Sequence, residues 1–229
     1  MKKIVVFTGS GISAESGIRT FRDAGGLWEE YPISEVATPE AWERNPDLVQ
    51  RFYNERRKQV LEAMPNAAHI AIADLENRYK VTVITQNIDD LHERAGSSNI
   101  IHLHGEIRKS RSSRHPELIY SIDGWELGMH EVCEEGFALR PYIVWFGEPV
   151  PAMDAAISQV EMADIFLIIG TSLEVYPAAG LVNYANDDIP KFFIDPSAKS
   201  TGRIPNLTII KEKAGIAVPA LVKQLLTES

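Results

Sequence analysis

The stretch IVVFTGSGISAESGIRTFRDAGGLW, residues 4–28, passes from four apolar residues directly into glycine and serine. An apolar run followed by Gly9 and Gly11 is typical of a buried strand that ends in a phosphate-binding turn. These glycines can adopt positive φ and let the backbone approach a ligand, and we expect the start of the next helix to offer its N–H groups to phosphate. Gly17 stands six residues after Gly11, whereas the GxGxxG fingerprint places its third glycine sooner. With no acidic residue placed to hold a ribose, an ordinary NAD dehydrogenase is disfavoured.

Short apolar runs alternate with helical stretches along the rest of the chain. The predicted strands are Ile4–Thr8, Val81–Thr85, Ile100–Leu103, Tyr142–Phe146, Ile165–Ile169, Lys191–Ile194 and Leu207–Ile210. The predicted helices are Pro39–Asn45, Pro46–Met64, Ala67–Asn77, Met153–Ala163, Ala178–Ala185 and Val218–Leu226. This alternation indicates an α/β fold with a Rossmann-like, doubly wound parallel sheet. We expect one catalytic domain over 1–229, with its core at about 1–20, 79–105 and 141–229 and a small module of two insertions, 21–78 and 106–140.

Composition narrows the functional classes. The chain has 229 residues, 23 Lys and Arg against 32 Asp and Glu, and a net charge of −9. No dense basic block is present, which argues against a nucleic-acid surface and favours basic, lysine-bearing partners. No apolar run is long enough for a membrane span, and the apolar run after Lys3 is too short for a signal peptide. Cys133 is the single cysteine, so we expect no intramolecular disulfide and a cytoplasmic location.

Polar residues follow three further predicted strands. TQNIDDLHERAG, residues 85–96, contains Gln86, Asn87 and Asp89, HLHG contains His104, and GTS spans residues 170–172. Taken singly, Asn87 and Asp89 are compatible with helix caps, and His104 with a turn histidine bonded to backbone. Because parallel strands end at one rim of the sheet, we expect all of these groups to meet at one site.

These motifs resemble the sirtuin family of NAD-dependent protein lysine deacylases. Five blocks match in order over nearly the whole chain: TGSGISAESGIRTFR, TQNIDDLHERAG, HLHGE, LRPYIVWFGE and ADIFLIIGTSLEVYPAAG. The resemblance implies that NAD is a co-substrate, that the acyl oxygen of a modified lysine displaces nicotinamide from the ribose, and that His104 then acts as general base. A histidine suits that role because its ordinary pKa lies near neutrality.

The resemblance also assigns residues to each part of the site. Asn87 and Asp89 join His104 as catalytic residues that orient the ribose and nicotinamide, and Gln86 contacts a ribose. Phe21 and Arg22 belong to a loop over the nicotinamide ribose. The full set implied for NAD is Gly9, Ser10, Gly11, Ile12, Ser13, Glu15, Ser16, Thr20, Phe21, Arg22, Trp28, Gln86, Asn87, Ile88, Asp89, His104, Gly170, Thr171, Ser172 and Ala214. Phe193 aligns where the family usually has an asparagine that contacts the adenine ribose, which puts that contact in doubt.

The acyl group is indicated by a Tyr-x-x-Arg pair, Tyr53 and Arg56, on a predicted helix. An inward tyrosine and a solvated arginine would explain the pair without a ligand. Class III sirtuins carry the same pair with a small residue upstream, matched here by Ala37. The resemblance therefore implies an acyl pocket for succinyl- and malonyl-lysine, with acetyl-lysine also accepted, because a charged hydrogen bond contributes about 1.5–3 kcal/mol. The edge Val144, Trp145, Phe146, Gly147 and Glu148 is expected to pair with the backbone of an acyl-lysine protein as an added strand.

One part of the family pattern is missing. Most sirtuins bind a structural zinc through two Cys-x-x-Cys pairs, whereas this chain has Cys133 alone and Ser112 at the first cysteine position. One thiolate cannot build a tetrahedral sulfur site, and a mixed site of His115, His130 and Cys133 is weakly supported by spacing. We predict no zinc and expect packing to replace it, with a core drawn from Leu118, Ile119, Tyr120, Trp125, Leu127 and Phe137.

Sequence alone leaves alternatives to the deacylase open. A mono-ADP-ribosyltransferase would share the first step and differ in the nucleophile that arrives. An NAD-sensing binding module would use the same fold without chemistry. We expect a monomer, no nucleic-acid partner and no membrane association.

Overall fold

The computed structural model describes residues 1–20, 31–198 and 204–227. Its main sheet has six strands: β1 Lys3–Thr8, β2 Lys80–Thr85, β3 Ile100–His102, β7 Ile165–Ile169, β8 Lys191–Ile194 and β9 Leu207–Ile210. They are all parallel and lie in the order β3-β2-β1-β7-β8-β9. Chain order reverses between β1 and β7, so the sheet has the doubly wound topology that the sequence predicts, with its switch point at this pair.

Successive residues of β1 supply two separate cores. Ile4 and Val6 pack on one face with α5 (Ala67–Asp74) and α8 (Ala214–Thr227). Val5 and Phe7 pack on the other face with α7 (Met153–Glu161) and the 3₁₀ helix Ala178–Tyr184. All four β1 side chains are fully buried. Burial on both faces explains why the strand reads as an unbroken apolar run.

The remaining helices are short, with one exception. They are α1 Gly11–Ala14, α2 Ile33–Val36, α3 Pro39–Arg44, α4 Pro46–Glu62, the 3₁₀ turn Leu75–Asn77 and α6 Leu91–Ala95. The long helix α4 begins where the Asn45 side chain accepts a hydrogen bond from Leu48 N at 3.1 Å. Its buried side includes Tyr53, Arg56 and Arg57, and Arg57 contacts the second insertion at Ile107 and Trp125. Within the described ranges, no helix has the length and apolar character needed to cross a bilayer.

A second sheet stands apart from the parallel one. It is antiparallel, in the order β5-β4-β6, from β4 Gly105–Ser112, β5 Ile119–Ser121 and β6 Leu139–Ile143. The predicted strand Tyr142–Phe146 is therefore misplaced: the strand ends at Ile143 and pairs with β4. Periodicity could not reveal this, because a short apolar run looks alike in either kind of sheet. Helix α5, which we assigned to the small module with residues 21–78, packs on the main core against α8.

Candidate active site

A cavity of about 640 Å³ opens at the carboxyl ends of the parallel strands. Gly9, Gln86, His104 and Gly170 line it, each from the segment that follows β1, β2, β3 or β7. Ser10, Gly11, Thr20, Asn87, Ile88, Thr171 and Ser172 complete the predicted residues at this end. The strand ends are tied across the cleft, since Gln86 Nε2 donates to Thr171 Oγ1 at 3.1 Å. The polar groups that the sequence places after separate strands thus share one wall.

The two glycines of the opening turn serve close packing and not an unusual backbone angle. Neither Gly9 nor Gly11 has positive φ, whereas Gly170 at the end of β7 does (62°). A Cβ on Gly9 would lie 2.7 Å from Gly170 O, and one on Gly11 would lie 2.8 Å from Gly170 Cα. Neither glycine uses the positive φ that is open to it. Glycine is required at both positions because the end of β7 leaves no room for a side chain.

The N–H groups of the same turn also differ from expectation. Gly9 N donates to Ile169 O at 3.0 Å and Gly11 N to Gly170 O at 2.8 Å. Ile12 N and Ser13 N donate to carbonyls within the turn. These four donors hold β1 against β7 and close α1, so they do not face the cleft as a row of phosphate donors.

His104 is oriented as a base. Its Nδ1 lies 3.0 Å from Gln86 O, and because a carbonyl can only accept, Nδ1 carries the proton and Nε2 keeps its lone pair. Burial lowers the pKa of His104 below its ordinary value, with that hydrogen bond opposing the shift. The imidazole is therefore neutral near pH 7, as a general base must be.

Asn87 and Asp89 are joined through a buried serine. Asn87 Nδ2 donates to Ser13 Oγ at 3.1 Å, and Ser13 Oγ donates to Asp89 Oδ2 at 3.0 Å. Leu91 N donates to the other Asp89 oxygen at 3.2 Å. Burial raises the pKa of Asp89, although the bonds from Leu91 and Ser13 act against it. Asn87 lies on the cavity wall, and Asp89 supports it from behind.

Five more predicted cofactor residues lie away from the wall. Ile12 is in the main core and Ser13 is in the network just described. The Glu15 carboxylate accepts from Gly215 N at 2.7 Å near the start of α8, Ser16 Oγ accepts from Asn66 Nδ2 at 2.9 Å, and Ala214 is buried in the main core. Their observed contacts are structural. Phe21, Arg22 and Trp28 lie outside the described residues.

The other end of the cavity contains the predicted acyl-pocket residues. Ala37 and Tyr53 line it, and both are buried. The Tyr53 hydroxyl accepts from Trp145 Nε1 at 3.1 Å. Burial raises the pKa of Tyr53 well above its ordinary value, so the phenol stays protonated.

Arg56 lies behind this wall. It is 4% exposed, and its Nη1 donates to Arg19 O at 3.3 Å. Burial lowers the pKa of Arg56 to about 10, while Tyr53 and Asp89 act to raise it. The guanidinium is therefore charged at neutral pH. The interpretation of Arg56 as a solvated surface arginine is wrong, because the side chain is buried.

The VWFGE segment is a loop and not an exposed edge strand. Val144 N donates to His104 O at 2.9 Å, Phe146 N to Ala37 O at 3.0 Å, and Glu148 N to Trp145 O at 3.0 Å. Trp145 N donates to Glu148 Oε2 at 2.8 Å. With these four donors engaged, pairing with a substrate backbone would depend on the carbonyls and on Gly147 N, and the added strand stays a prediction. The five residues Val144, Trp145, Phe146, Gly147 and Glu148 do line the cavity.

Several lining residues were missed by sequence reasoning. Asp195 and Ser197 follow β8, and the segment from Leu173 to Pro177 follows the GTS motif. The rule that polar residues collect after parallel strands would have found Asp195 and Ser197 had it been applied to β8. Phe193, at the doubtful ribose position, is buried in β8 and also lines the cavity.

The small module contains Cys133 in a hydrogen bond. Its buried Sγ donates to Ser112 Oγ at 3.3 Å, and Ser112 Oγ accepts from His115 N at 3.1 Å. Across the described part of the chain, no group of three or more His, Cys, Asp or Glu side chains is arranged to hold a metal. The absence of zinc stays a prediction.

Three of the six proposed core residues of the module contribute to its core, and three do not. Leu127 is buried, and Leu118 and Tyr120 pack against it with Ile122, Cys133 and Leu139. Ile119, Trp125 and Phe137 are exposed, so the expectation is wrong for them. The module is also held by a polar contact, in which Arg57 donates from α4 to Ile107 O and Trp125 O at 2.6 and 2.8 Å.

Comparison with known proteins agrees with this geometry. Residues 9–177 match the Sir2 family. A protein of Bacteroides thetaiotaomicron named NAD-dependent protein deacylase is 53% identical, covering 99% of this chain and 98% of its own. One of the same name from Helicobacter pylori is 51% identical, covering 99% and 96%. A Sir2 homologue solved with NAD superposes with a TM-score of 0.90 at 38% identity, covering 99% of this chain and 90% of its own. With a family match over most of the chain and relatives at this identity, the chain belongs to the Sir2 family.

Proposed function

We propose that this Sir2-family enzyme, an NAD-dependent protein deacylase, prefers lysines whose acyl group ends in a carboxylate, such as succinyl and malonyl. Acetyl-lysine is a further substrate, and the products are nicotinamide, O-acyl-ADP-ribose and free lysine. The class of reaction follows the family and the relatives' name. Solved family members bound to NAD and to a p53 peptide support NAD and an acyl-lysine protein as the two substrates.

The glycine end of the cavity suits the co-substrate NAD. The whole cavity, with its volume of about 640 Å³, lies within the range of small-molecule sites, and glycines keep the floor of this end free of side chains where β1 meets β7. Ser10, Thr171 and Ser172 offer hydroxyl groups to phosphate and ribose. When bound, NAD would supply a ribose C1′ carbon whose bond to nicotinamide breaks as a new bond to the acyl oxygen forms.

The chain's own catalytic contribution centres on His104. Its protonated Nδ1 is held by Gln86 O, so Nε2 is the atom that takes a proton from a ribose hydroxyl. Asn87, fixed by Ser13, orients the sugar and the carboxamide beside it. We assign Asp89 to support of this pair, because its carboxylate is engaged by Ser13 and Leu91.

The acyl preference depends on one observation, the environment of the Tyr53 hydroxyl. It lies on the cavity wall beside the small Ala37, and the charges of Arg140 and Arg56 both act on it. A succinyl or malonyl carboxylate beside the hydroxyl gains a hydrogen-bond donor and the nearby charge of Arg56, while an acetyl methyl gains neither. Arg140 is already paired with Glu148. A charge-assisted hydrogen bond contributes about 1.5–3 kcal/mol, or roughly ten- to a hundredfold in preference.

Arg56→Met tests this preference. We expect kcat/KM for a succinyl-lysine peptide to fall about tenfold or more, with less than a threefold change on the matched acetyl-lysine peptide. Arg51→Met is the control, because Arg51 is an exposed arginine on the same helix. Both peptides are assayed with NAD by nicotinamide release. Equal losses on the two peptides would mean that Arg56 only supports the fold, and the proposed preference would be withdrawn.

We further propose a cytoplasmic monomer. A single, buried cysteine suits a reducing compartment, and the acidic net charge of −9 suits encounters with basic, lysine-bearing proteins. Light scattering at micromolar concentration tests the monomer, and a mass of twice 25.5 kDa would contradict it.

A further inference from the structure

The Tyr53 hydroxyl is held from behind by an indole that sequence reasoning placed at the substrate backbone. Trp145 Nε1 lies 3.1 Å from Tyr53 Oη, and the two side chains are 2% and 3% exposed. We propose that Trp145 is a positioning residue that turns the Tyr53 hydroxyl proton toward the cavity and so sets the preference for carboxylate-ended acyl groups. This inference rests on the proposed function and names the device that produces its specificity.

The direction of the hydrogen bond follows from the chemistry of its two groups. An indole N–H can only donate, so the Tyr53 oxygen must be the acceptor. The single hydroxyl proton is then left for another acceptor. Since Tyr53 lines the cavity, that proton is available to a ligand there. A carboxylate accepts hydrogen bonds and cannot donate them, which matches a hydroxyl fixed as a donor.

Trp145 is itself fixed on several sides. The Arg140 guanidinium stacks on its ring at 3.3 Å from the centroid. Trp42 packs on the same residue with ring centroids 5.9 Å apart. Its backbone N–H donates to Glu148 Oε2 at 2.8 Å. Rotating the indole would break the cation–π contact with Arg140 and the hydrogen bond from Nε1 to Tyr53, while the backbone bond to Glu148 fixes the main chain at this residue.

Glu148 locks this arrangement in place. Its two carboxylate oxygens accept from Arg140 Nη1 and Nη2 at 2.8 and 2.9 Å, a bidentate pair, and Arg111 Nη2 donates at 2.9 Å. Burial acts to raise the pKa of Glu148, but the bonds from Arg140 and Trp145 N hold it below its ordinary value. The carboxylate stays charged, and the chain Arg111–Glu148–Arg140–Trp145–Tyr53 ends at the acyl pocket.

Trp145→Phe removes the N–H and keeps an aromatic ring. We expect kcat/KM on a succinyl-lysine peptide to fall about three- to tenfold. The fall should appear mainly as a rise in KM, because the hydrogen bond from the Tyr53 hydroxyl to the acyl carboxylate is made equally in the ground and transition states. On the acetyl-lysine peptide the change should stay within twofold. Trp125→Phe is the matched control, since Trp125 is exposed at the module surface and should alter neither value.

A double-mutant cycle with Tyr53→Phe separates positioning from packing. If Trp145 acts through the Tyr53 hydroxyl, Trp145→Phe adds less than twofold to the loss already caused by Tyr53→Phe. Should Trp145→Phe lower the melting temperature severely, 3-benzothienylalanine at position 145 keeps the shape of indole without its N–H and replaces it in the cycle.

The outcomes distinguish the two proposals. If the unmodified enzyme prefers succinyl-lysine and Trp145→Phe or the isostere leaves that preference intact, the role of Trp145 is refuted while the proposed function stands. Independent, multiplicative losses in the cycle also refute it. If the unmodified enzyme shows no preference for succinyl-lysine, the proposed specificity fails and this inference falls with it.

Discussion

Arg57→Met should loosen the second insertion, residues 106–140, from helix α4. Arg57 is 0% exposed, and it donates to Ile107 O at 2.6 Å, Asn54 Oδ1 at 2.6 Å and Trp125 O at 2.8 Å. Burial lowers the pKa of Arg57 to about 10, and the charge of the nearby Arg108 adds to this shift. The Arg57 side chain is therefore charged at pH 7. One side chain therefore bridges α4, strand β4 and the segment before Leu127.

The cost can be derived from these contacts. In the variant, the carbonyls of Ile107 and Trp125 lose their charged donor. Each buried carbonyl left without a hydrogen bond costs about 1–3 kcal/mol of stability. Methionine keeps much of the packing and removes a buried charge, and these two effects offset ~1–2 kcal/mol of the cost of the two carbonyls. We expect the free energy of unfolding to fall by about 2–3 kcal/mol.

Equilibrium urea unfolding at pH 7 measures this change, with Arg51→Met as control. Arg51 is exposed on the same helix, so its replacement should alter the free energy of unfolding by less than ~0.5 kcal/mol. The reasoning is refuted if Arg57→Met proves no more destabilising than Arg51→Met, for the carbonyls would then be satisfied without the guanidinium.

Three further predictions concern pH, metal and backbone. Burial lowers the pKa of His69 to about 4. Because the unfolded chain then binds a proton that the folded chain does not, the free energy of unfolding decreases as pH falls below the ordinary histidine pKa. Between pH 7.5 and pH 5 it should drop by about 2 kcal/mol more in the unmodified chain than in His69→Gln, and equal drops would contradict a lowered pKa for His69. Metal analysis of the native protein should find no stoichiometric zinc, and dialysis against a chelator should leave its melting temperature unchanged; one zinc per chain would overturn the prediction. Gly170→Ala should cost more than ~1 kcal/mol of stability and abolish activity, because Gly170 has φ of 62° and its Cβ would meet the Gly11 backbone; an active, stable variant would show that β1 can move away from β7.

Much of the parallel sheet could be predicted from the sequence, because its strands are buried on both faces and read as apolar runs. Ile165–Ile169 has the predicted bounds, and β1 differs by one residue. Because parallel strands end at one edge of the sheet, the sequence also predicts that Gln86, Asn87 and His104 meet at one site, and all three line the cavity. These features are local, so the pattern of a short segment determines them.

The small module was less predictable, since its structure depends on long-range pairing. Strand β4 has mixed polar composition and acquires its pairing from β5, which follows it closely, and from β6, which lies beyond a long connection over residues 122–138. The VWFGE segment reads as a strand but forms a loop because Glu148 and Ala37 take up its N–H groups. Likewise, no pattern reveals that Trp145 donates to Tyr53, 92 residues away.

Mass spectrometry of one reaction, the enzyme with NAD and a succinyl-lysine peptide, tests the central claim most directly. We expect the peptide to become lighter by its succinyl group, with one nicotinamide and one O-succinyl-ADP-ribose formed for each peptide converted. His104→Ala should form neither free lysine peptide nor O-succinyl-ADP-ribose, because its base acts after nicotinamide has left. A heavier, ADP-ribosylated peptide would identify a transferase. An unchanged peptide would contradict the account, because the cavity would then bind NAD without breaking its glycosidic bond.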